Sequence, residues 1–204
     1  MDTSRKNRII KIIIWIVYSI TLIVALLATA AFFWPATFKE LQSSNSEKLD
    51  YNDAIAAANR TASEDASNAD VRPECRSIIK THGQKTAKAV MMIHGVSACP
   101  QQFADLGDTF FNAGYNVYIP RVPSHGLTDN KRHGEITIPA MAQFMNSSTS
   151  IISSLGDETG VIGLSGGANM ATWITQYNSQ TISRALFLSP FYQPSASETP
   201  SWKI

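Results

Sequence analysis

An uncharged, apolar stretch from Ile12 to Trp34 constrains this chain more than any other feature of it. At about 1.5 Å of rise per residue, such a run spans the roughly 30 Å hydrocarbon core of a bilayer with some tilt. Its Ile, Leu, Val, Ala and aromatic residues leave no polar face, which a helix packed on a soluble core would keep. Arg5, Lys6, Arg8 and Lys11 precede it, and the far side opens with Pro35-Ala36-Thr37-Phe38-Lys39-Glu40. That basic excess predicts a cytoplasmic N-terminus over residues 1–11, a membrane anchor over 12–34, and everything after it on the periplasmic or extracellular side. Phe32, Phe33 and Trp34 form an aromatic cluster suited to the outer interface. The competing reading is a cleavable secretory signal, because Ala28-Thr29-Ala30 has the small-x-small pattern of a cleavage site. The apolar run continues past that point and exceeds the roughly 7–15 residues of a signal's apolar region, which favours retention. Either way the remainder is exported.

Residues 35–74 read as a linker, since Ser43-Ser44-Asn45-Ser46 and Ser63 to Asp70 are polar and lack apolar periodicity. Leu49, Tyr51 and Ile55 allow one short helix around Asp53 to Ala58, capped by Asn52 or Asp53. The balance of 17 basic against 16 acidic residues, a net charge of +1, builds no field that would hold nucleic acid. Two cysteines without a CxxC or His/Cys spacing suggest no metal site, and no cofactor motif is present. Cys75 and Cys99 fall on the exported side, where an oxidising compartment would let them pair; two buried free thiols are the alternative. Pairing would stabilise the fold by roughly 3 kcal/mol through the closed loop.

From residue 75 onward, short apolar runs alternate with stretches of helical period. Ala89 to Ile93, Tyr115 to Ile119, Gly160 to Leu164 and Ile182 to Leu188 read as strands. Between them, Cys99 to Ala113, Pro139 to Leu155 and Gly167 to Tyr177 carry apolar residues at helical spacing, with Gly114 and Gly156 as stop signals. Strands separated by helices predict right-handed βαβ units: an α/β fold with a mainly parallel sheet flanked by helices, over 75–204.

Gly163-Leu164-Ser165-Gly166-Gly167 fits G-x-S-x-G at the point where a strand gives way to a helix. A turn that sharp brings strand and helix nearly into contact, so Gly163 and Gly167 should lack side chains while Ser165 is lifted into the open as a nucleophile. A tetrahedral oxyanion needs two donors fixed in advance. The amide of Gly166, after the nucleophile, and that of Val96, in the His94-Gly95 loop after the first strand, are the candidates. A phosphate-binding turn is disfavoured by the absence of GxGxxG and GxxxxGK[ST].

Met92-Ile93-His94-Gly95-Val96, Pro120-Arg121-Val122-Pro123-Ser124-His125-Gly126 and the Ser165 segment together resemble the α/β-hydrolase superfamily, in its exported carboxylesterase, lipase or serine aminopeptidase-like branch. The resemblance covers about Cys75 to Phe191. It implies a serine hydrolase acting on a small-molecule ester or amide, with His94 shaping the oxyanion loop and His125 a structural loop residue. His82 and His133 have no motif around them and read as solvated. The superfamily orders its triad as Ser, then Asp or Glu, then His, yet here only Glu198 follows Ser165 as a carboxylate and no histidine follows at all. The expectation is therefore a truncated, incomplete hydrolase domain of low or no activity, with the strand at Leu186 to Leu188 left as an apolar edge. A non-catalytic binding protein and a peptide hydrolase are the alternatives. With an epitope tag after Ile204, an anchored chain should run at full length in the membrane fraction; a product shorter by about thirty residues would indicate a cleaved signal instead.

Overall fold

The computed structural model describes residues 3–33 and 38–192, so Trp34 and Glu198 lie outside the described residues. The chain divides into two compact units, the first holding residues up to Thr37 and the second Phe38–Pro194. In the first, helix α1 (Thr3–Phe33) is continuous, and its Asn7–Phe32 segment, of mean hydropathy 2.6, is long and apolar enough to cross a membrane. The hydroxyls of Ser19, Thr21 and Thr29 donate back to the carbonyls of Trp15, Val17 and Ala25, so these three hydroxyls are satisfied within the helix.

The second unit is built on one sheet. Strands β1 (Ile78–Lys80), β2 (Thr86–Ile93), β3 (Asn116–Ile119), β4 (Gly156–Leu164) and β5 (Ile182–Leu188) lie in the order β1-β3-β2-β4-β5. All neighbours are parallel except β1 and β3. Helices α2 (Tyr51–Ser67), α3 (Ala104–Asn112), α4 (Ile138–Ser153) and α5 (Gly166–Tyr177) cover it. The central strand β2 explains the two layers. Its Val90 and Met92 pack with Phe103, Val117, Ile119 and Ile162 towards α3. Its Ala89, Met91 and Ile93 pack with Met145, Ile152, Val161, Ala171 and Ile174 on the face that carries α2, α4 and α5. Alternate side chains thus enter opposite cores, which is why the run is apolar without interruption.

The four strands and three helices expected from the apolar pattern are present. The differences have local causes. The helix after β2 starts with a 3-10 turn over Pro100–Phe103 and becomes α-helical only at Ala104, since Pro100 lacks the amide hydrogen of a helix interior. Strands β2 and β4 each begin earlier than their apolar runs. Thr86 and Lys88 pair with Gly156 and Glu158, and Lys85 meets Asp157 at 2.9 Å, so opposite charges stand across the solvated ends. Gly156, expected as a helix stop, opens β4. Strand β1, too short to show a pattern, forms by antiparallel pairing with β3.

The largest correction concerns the stretch read as a spacer. Residues 51–67 form α2, seventeen residues long and capped by the Asp50 side chain, which accepts from the Asp53 amide. Ala54 and Ala58 of α2 are fully buried in the core. Its last turn carries Asp65, buried at 3% exposure, whose Oδ1 takes the Arg121 guanidinium at 2.7 Å and whose Oδ2 accepts the Ser77 amide and hydroxyl at 2.8 and 2.7 Å. Small alanines and a buried charge give no apolar stripe, so the helix is not legible as a packed element. A buried carboxylate holds only with its partners in place. Asp65→Ala strands the Arg121 charge, which keeps 16% exposure, and should cost about 3 kcal/mol, the low end for a broken buried pair. Urea denaturation of the solubilised chain measures it; a loss below about 1 kcal/mol would mean that the pair behaves like a surface one.

Candidate active site

Ser165 stands between the last residue of β4 and the first of α5, with φ 54° and ψ −121°. A non-glycine residue with positive φ is strained, and here the surroundings enforce it. The Ser165 amide donates to Leu188 O of β5 at 2.8 Å, and its carbonyl accepts from Ala168 at 2.9 Å to start α5. The approach of α5 to the sheet leaves no room for side chains at two points. A Cβ on Gly163 would lie 2.3 Å from Gly167 O, and one on Gly167 would lie 2.1 Å from Ile93 O and 2.5 Å from His94 O. These contacts are with backbone, which cannot swing aside.

The loop after β2 reaches the same place. A Cβ on Gly95 would rest 3.5 Å from Ser165 Cβ, an ordinary contact, so space alone does not demand glycine there. A Cβ on Gly166 would lie 3.7 Å from Val96 N and 2.4 Å from a Val96 methyl. Ser165, Gly166, Gly95 and Val96 are therefore brought together, with the Val96 side chain half exposed at 52%.

Two hydrogen-bonding side chains and a disulfide hold that loop. Gln102, at the end of the loop, accepts the Gly95 amide at 2.9 Å. His94 is completely buried; its Nδ1 lies 2.9 Å from Gly95 O, and its Nε2 accepts the Val122 amide at 3.1 Å. Those partners define the neutral imidazole with the proton on Nδ1, bridging the loop after β2 to the loop after β3. Burial pushes its pKa from 6.5 down to about 4 against the pull of the Gly95 carbonyl, with His125, Arg121 and His133 adding to the downward shift. Cys75 and Cys99 form a disulfide, with Cα atoms 5.1 Å apart. Gly126 lies against it and accepts the Arg72 amide at 3.0 Å, so the Pro120–Gly126 segment is fastened as well.

His125 is buried; its Nδ1 lies 2.8 Å from Pro123 O, and its carbonyl accepts Arg121 Nη1 at 3.0 Å. Its pKa is lowered, chiefly by burial. The expectation that His133 is solvated does not hold: it is half-buried, its ring 4.6 Å from that of His125. His82 is exposed but stacks on Phe111 at 4.2 Å. Arg121 with Asp65, and Asn169, which bonds the chain at Phe191, were not legible as site residues because each acts through a partner distant in sequence, and Gln102 because its bond to the Gly95 amide seven residues before it belongs to no motif. Among the described residues no cluster of His, Cys, Asp or Glu could hold a metal ion.

No family model matches this sequence, and no curated protein matches it. Among solved structures, one described with LipS and LipT, two metagenome-derived lipolytic enzymes, is similar with a TM-score of 0.51 at 20% identity, covering 64% of this chain and 54% of its own. Naproxen esterase (carboxylesterase NP) from Bacillus subtilis is similar at a TM-score of 0.38 and 19% identity, over 71% of this chain and 52% of its own. Brefeldin A esterase, a bacterial homologue of human hormone-sensitive lipase, gives 0.38 and 14%, over 79% and 57%. The chain thus spans about half the length of these proteins. The fold, a mostly parallel sheet flanked by helices, is similar to that of the first of these lipolytic enzymes.

The His94 shift carries a sign. Unfolded His94 binds a proton below about pH 6.5 that the folded protein accepts only near 4, so its contribution to stability is present above 6.5 and lost as pH falls towards 4. The loss is on the order of 3 kcal/mol across that window. His94→Gln should flatten this part of the profile relative to the wild type, read as urea midpoints from pH 7.5 to 4; identical profiles would show that His94 is not held neutral.

Proposed function

We propose that this chain is a membrane-anchored serine hydrolase that cleaves carboxylic esters through an acyl-Ser165 intermediate. The observation that carries this reading is a positive-φ serine at a strand-to-helix turn, with Gly95 of the loop after β2 packed close to it and Val96 close to Gly166. Attack of Ser165 Oγ on the ester carbonyl carbon would place negative charge on the carbonyl oxygen, and two backbone amides fixed beforehand stabilise that charge without reorganising. The start of α5 adds the positive end of a helix dipole. Collapse of the tetrahedral species would expel the alcohol, and water would then release the acid and restore the serine. The anchor would be α1, with the Arg5-Lys6-Arg8-Lys11 side in the cytoplasm and the hydrolase unit outside. A disulfide in that unit fits an oxidising compartment. No cofactor, metal or nucleic acid enters this reading.

Proton removal from Ser165 has no assigned partner among the described residues. Among the described residues no side chain hydrogen-bonds Ser165 Oγ, and His94, the nearest histidine in sequence to the oxyanion loop, has both ring nitrogens engaged. Catalysis without a base retains roughly 10³ to 10⁴-fold acceleration over water from the oxyanion site and binding. That same observation favours a second reading, a binding protein that keeps the hydrolase pocket; hydrolysis of an amide would use the same elbow. An alkyl fluorophosphonate should label the full chain slowly, at Ser165, and Ser165→Ala should abolish labelling in gels and in peptide mass spectra. Absence of any Ser165-dependent labelling would leave the binding reading in its place.

A further inference from the structure

Helices α2 and α4 pack together at one end and enclose a cavity at the other. The early turns of α2 enter the core through Ala54 and Ala58, with Met145 and Ile152 of α4 in the same cluster. Its later turns present Thr61, Glu64, Asp65 and Asn68, spaced three and four apart, to a cavity of about 500 Å³. Gln143, Phe144, Ser148 and Ile151 line it from one face of α4, and Pro120, Arg121 and Ser124 from the loop after β3. Small-molecule sites have volumes of roughly 300–1,000 Å³.

The fold leaves one buried group in this cavity unsatisfied. The hydroxyls of Ser147, Thr149 and Ser150 each donate to the carbonyl four residues earlier in α4. Ser148 stands among them at 3% exposure, and its hydroxyl makes neither that bond nor one to any other described residue. A buried hydroxyl without a partner destabilises the fold. One water would satisfy it, but at about 30 Å³ per water the cavity has room for many more. The side chains of Glu64, Gln143 and Ser124 also have no hydrogen-bonding or ionic partner among the described residues. Ser124 holds a positive φ of 60°, a strained conformation for serine of the kind that gathers at ligand sites.

The chemistry of the walls selects the ligand. Asp65 takes both Nε and Nη2 of Arg121, and the His125 carbonyl takes Nη1, so that cation is already balanced and engaged. The charge left over is the Glu64 carboxylate, which repels an anion. The hydroxyls of Ser148 and Ser124 and the Gln143 amide each donate and accept, next to the apolar surface of Phe144, Pro120 and Ile151. A molecule that answers all of these carries several hydroxyls, no negative charge and polarised C–H groups that suit an aromatic face. A sugar ring is built this way.

We propose that the cavity between α2, α4 and the loop after β3 binds a neutral sugar of one or two rings, with Ser148 hydrogen-bonded to its innermost hydroxyl and Glu64 and Gln143 at the mouth. Glu64 and Gln143 are exposed, which puts the entrance on their side. This goes beyond the hydrolase reading and does not rest on it, because binding requires nothing of Ser165.

The test is saturation-transfer NMR on the full chain in lipid nanodiscs, with empty nanodiscs subtracted, against glucose, galactose, mannose, N-acetylglucosamine, maltose and cellobiose. At least one of these should give a saturable signal. Ser148→Ala should weaken that binding about tenfold, the loss of one buried hydrogen bond. Gln143→Trp, a change at an exposed position that leaves the core alone, should fill the mouth and abolish it. Glucuronate should bind more weakly than the tightest neutral sugar. The site is overturned if none of the sugars binds, or if Gln143→Trp leaves binding intact. Unchanged affinity in Ser148→Ala overturns the role of Ser148, and should that variant not fold, Gln143→Trp decides the site by itself. Glucuronate binding as tightly as the best neutral sugar overturns the selection against anions.

Discussion

Everything at the centre of this molecule depends on how closely α5 approaches the ends of β2 and β4. Backbone oxygens of Ile93, His94 and Gly167 occupy the space where side chains of Gly167 and Gly163 would project. Because those two positions are glycine, the chain can reverse within one residue, and Ser165 is forced into a positive φ at the lip of the sheet. Any longer turn would carry the serine away from the Gly95-Val96 loop. The constraint is steric and local, yet it decides which backbone amides share a site.

Around that point the loops are tied to one another and, through Arg121, to α2. His94 bridges the loops after β2 and β3, Gln102 closes the first of them on itself, and the disulfide lies under Gly126 of the second. Arg121 extends the tie to α2 through Asp65 and back to the His125 carbonyl. A buried neutral histidine and a buried ion pair are costly elements in a core. Their cost is offset by order in the loops after β2 and β3. Such rigidity suits a site whose donors must be in place before charge develops.

The parallel core was legible because β2, β3, β4 and β5 each carry an apolar run, and the intervening helices show apolar residues at helical spacing. The two glycines of the elbow announced a close approach for the same reason. What was not legible has a common origin. Helix α2 packs through Ala54, Ala58 and a charged Asp65, so it looks like a solvated spacer until its partners are known. The polar beginnings of β2 and β4 are strand only because each faces the other's opposite charges. His133 looked solvated because nothing adjacent to it in the sequence reports the ring of His125 that it covers.

By itself the sequence determined the long apolar N-terminal helix, the alternating architecture, and the placing of a serine where strand becomes helix. Each is a matter of residue type and spacing within a short window, where periodicity and steric size act directly. Only the tertiary structure decided which groups meet Ser165, that Cys75 reaches Cys99, that α2 belongs to the body, and that Asn169 bonds the backbone of Phe191. Those are contacts between residues far apart along the chain, or single hydrogen bonds between polar side chains and backbone. They leave no periodic trace, because their energy depends on where the fold brings the two partners and not on the neighbours of either.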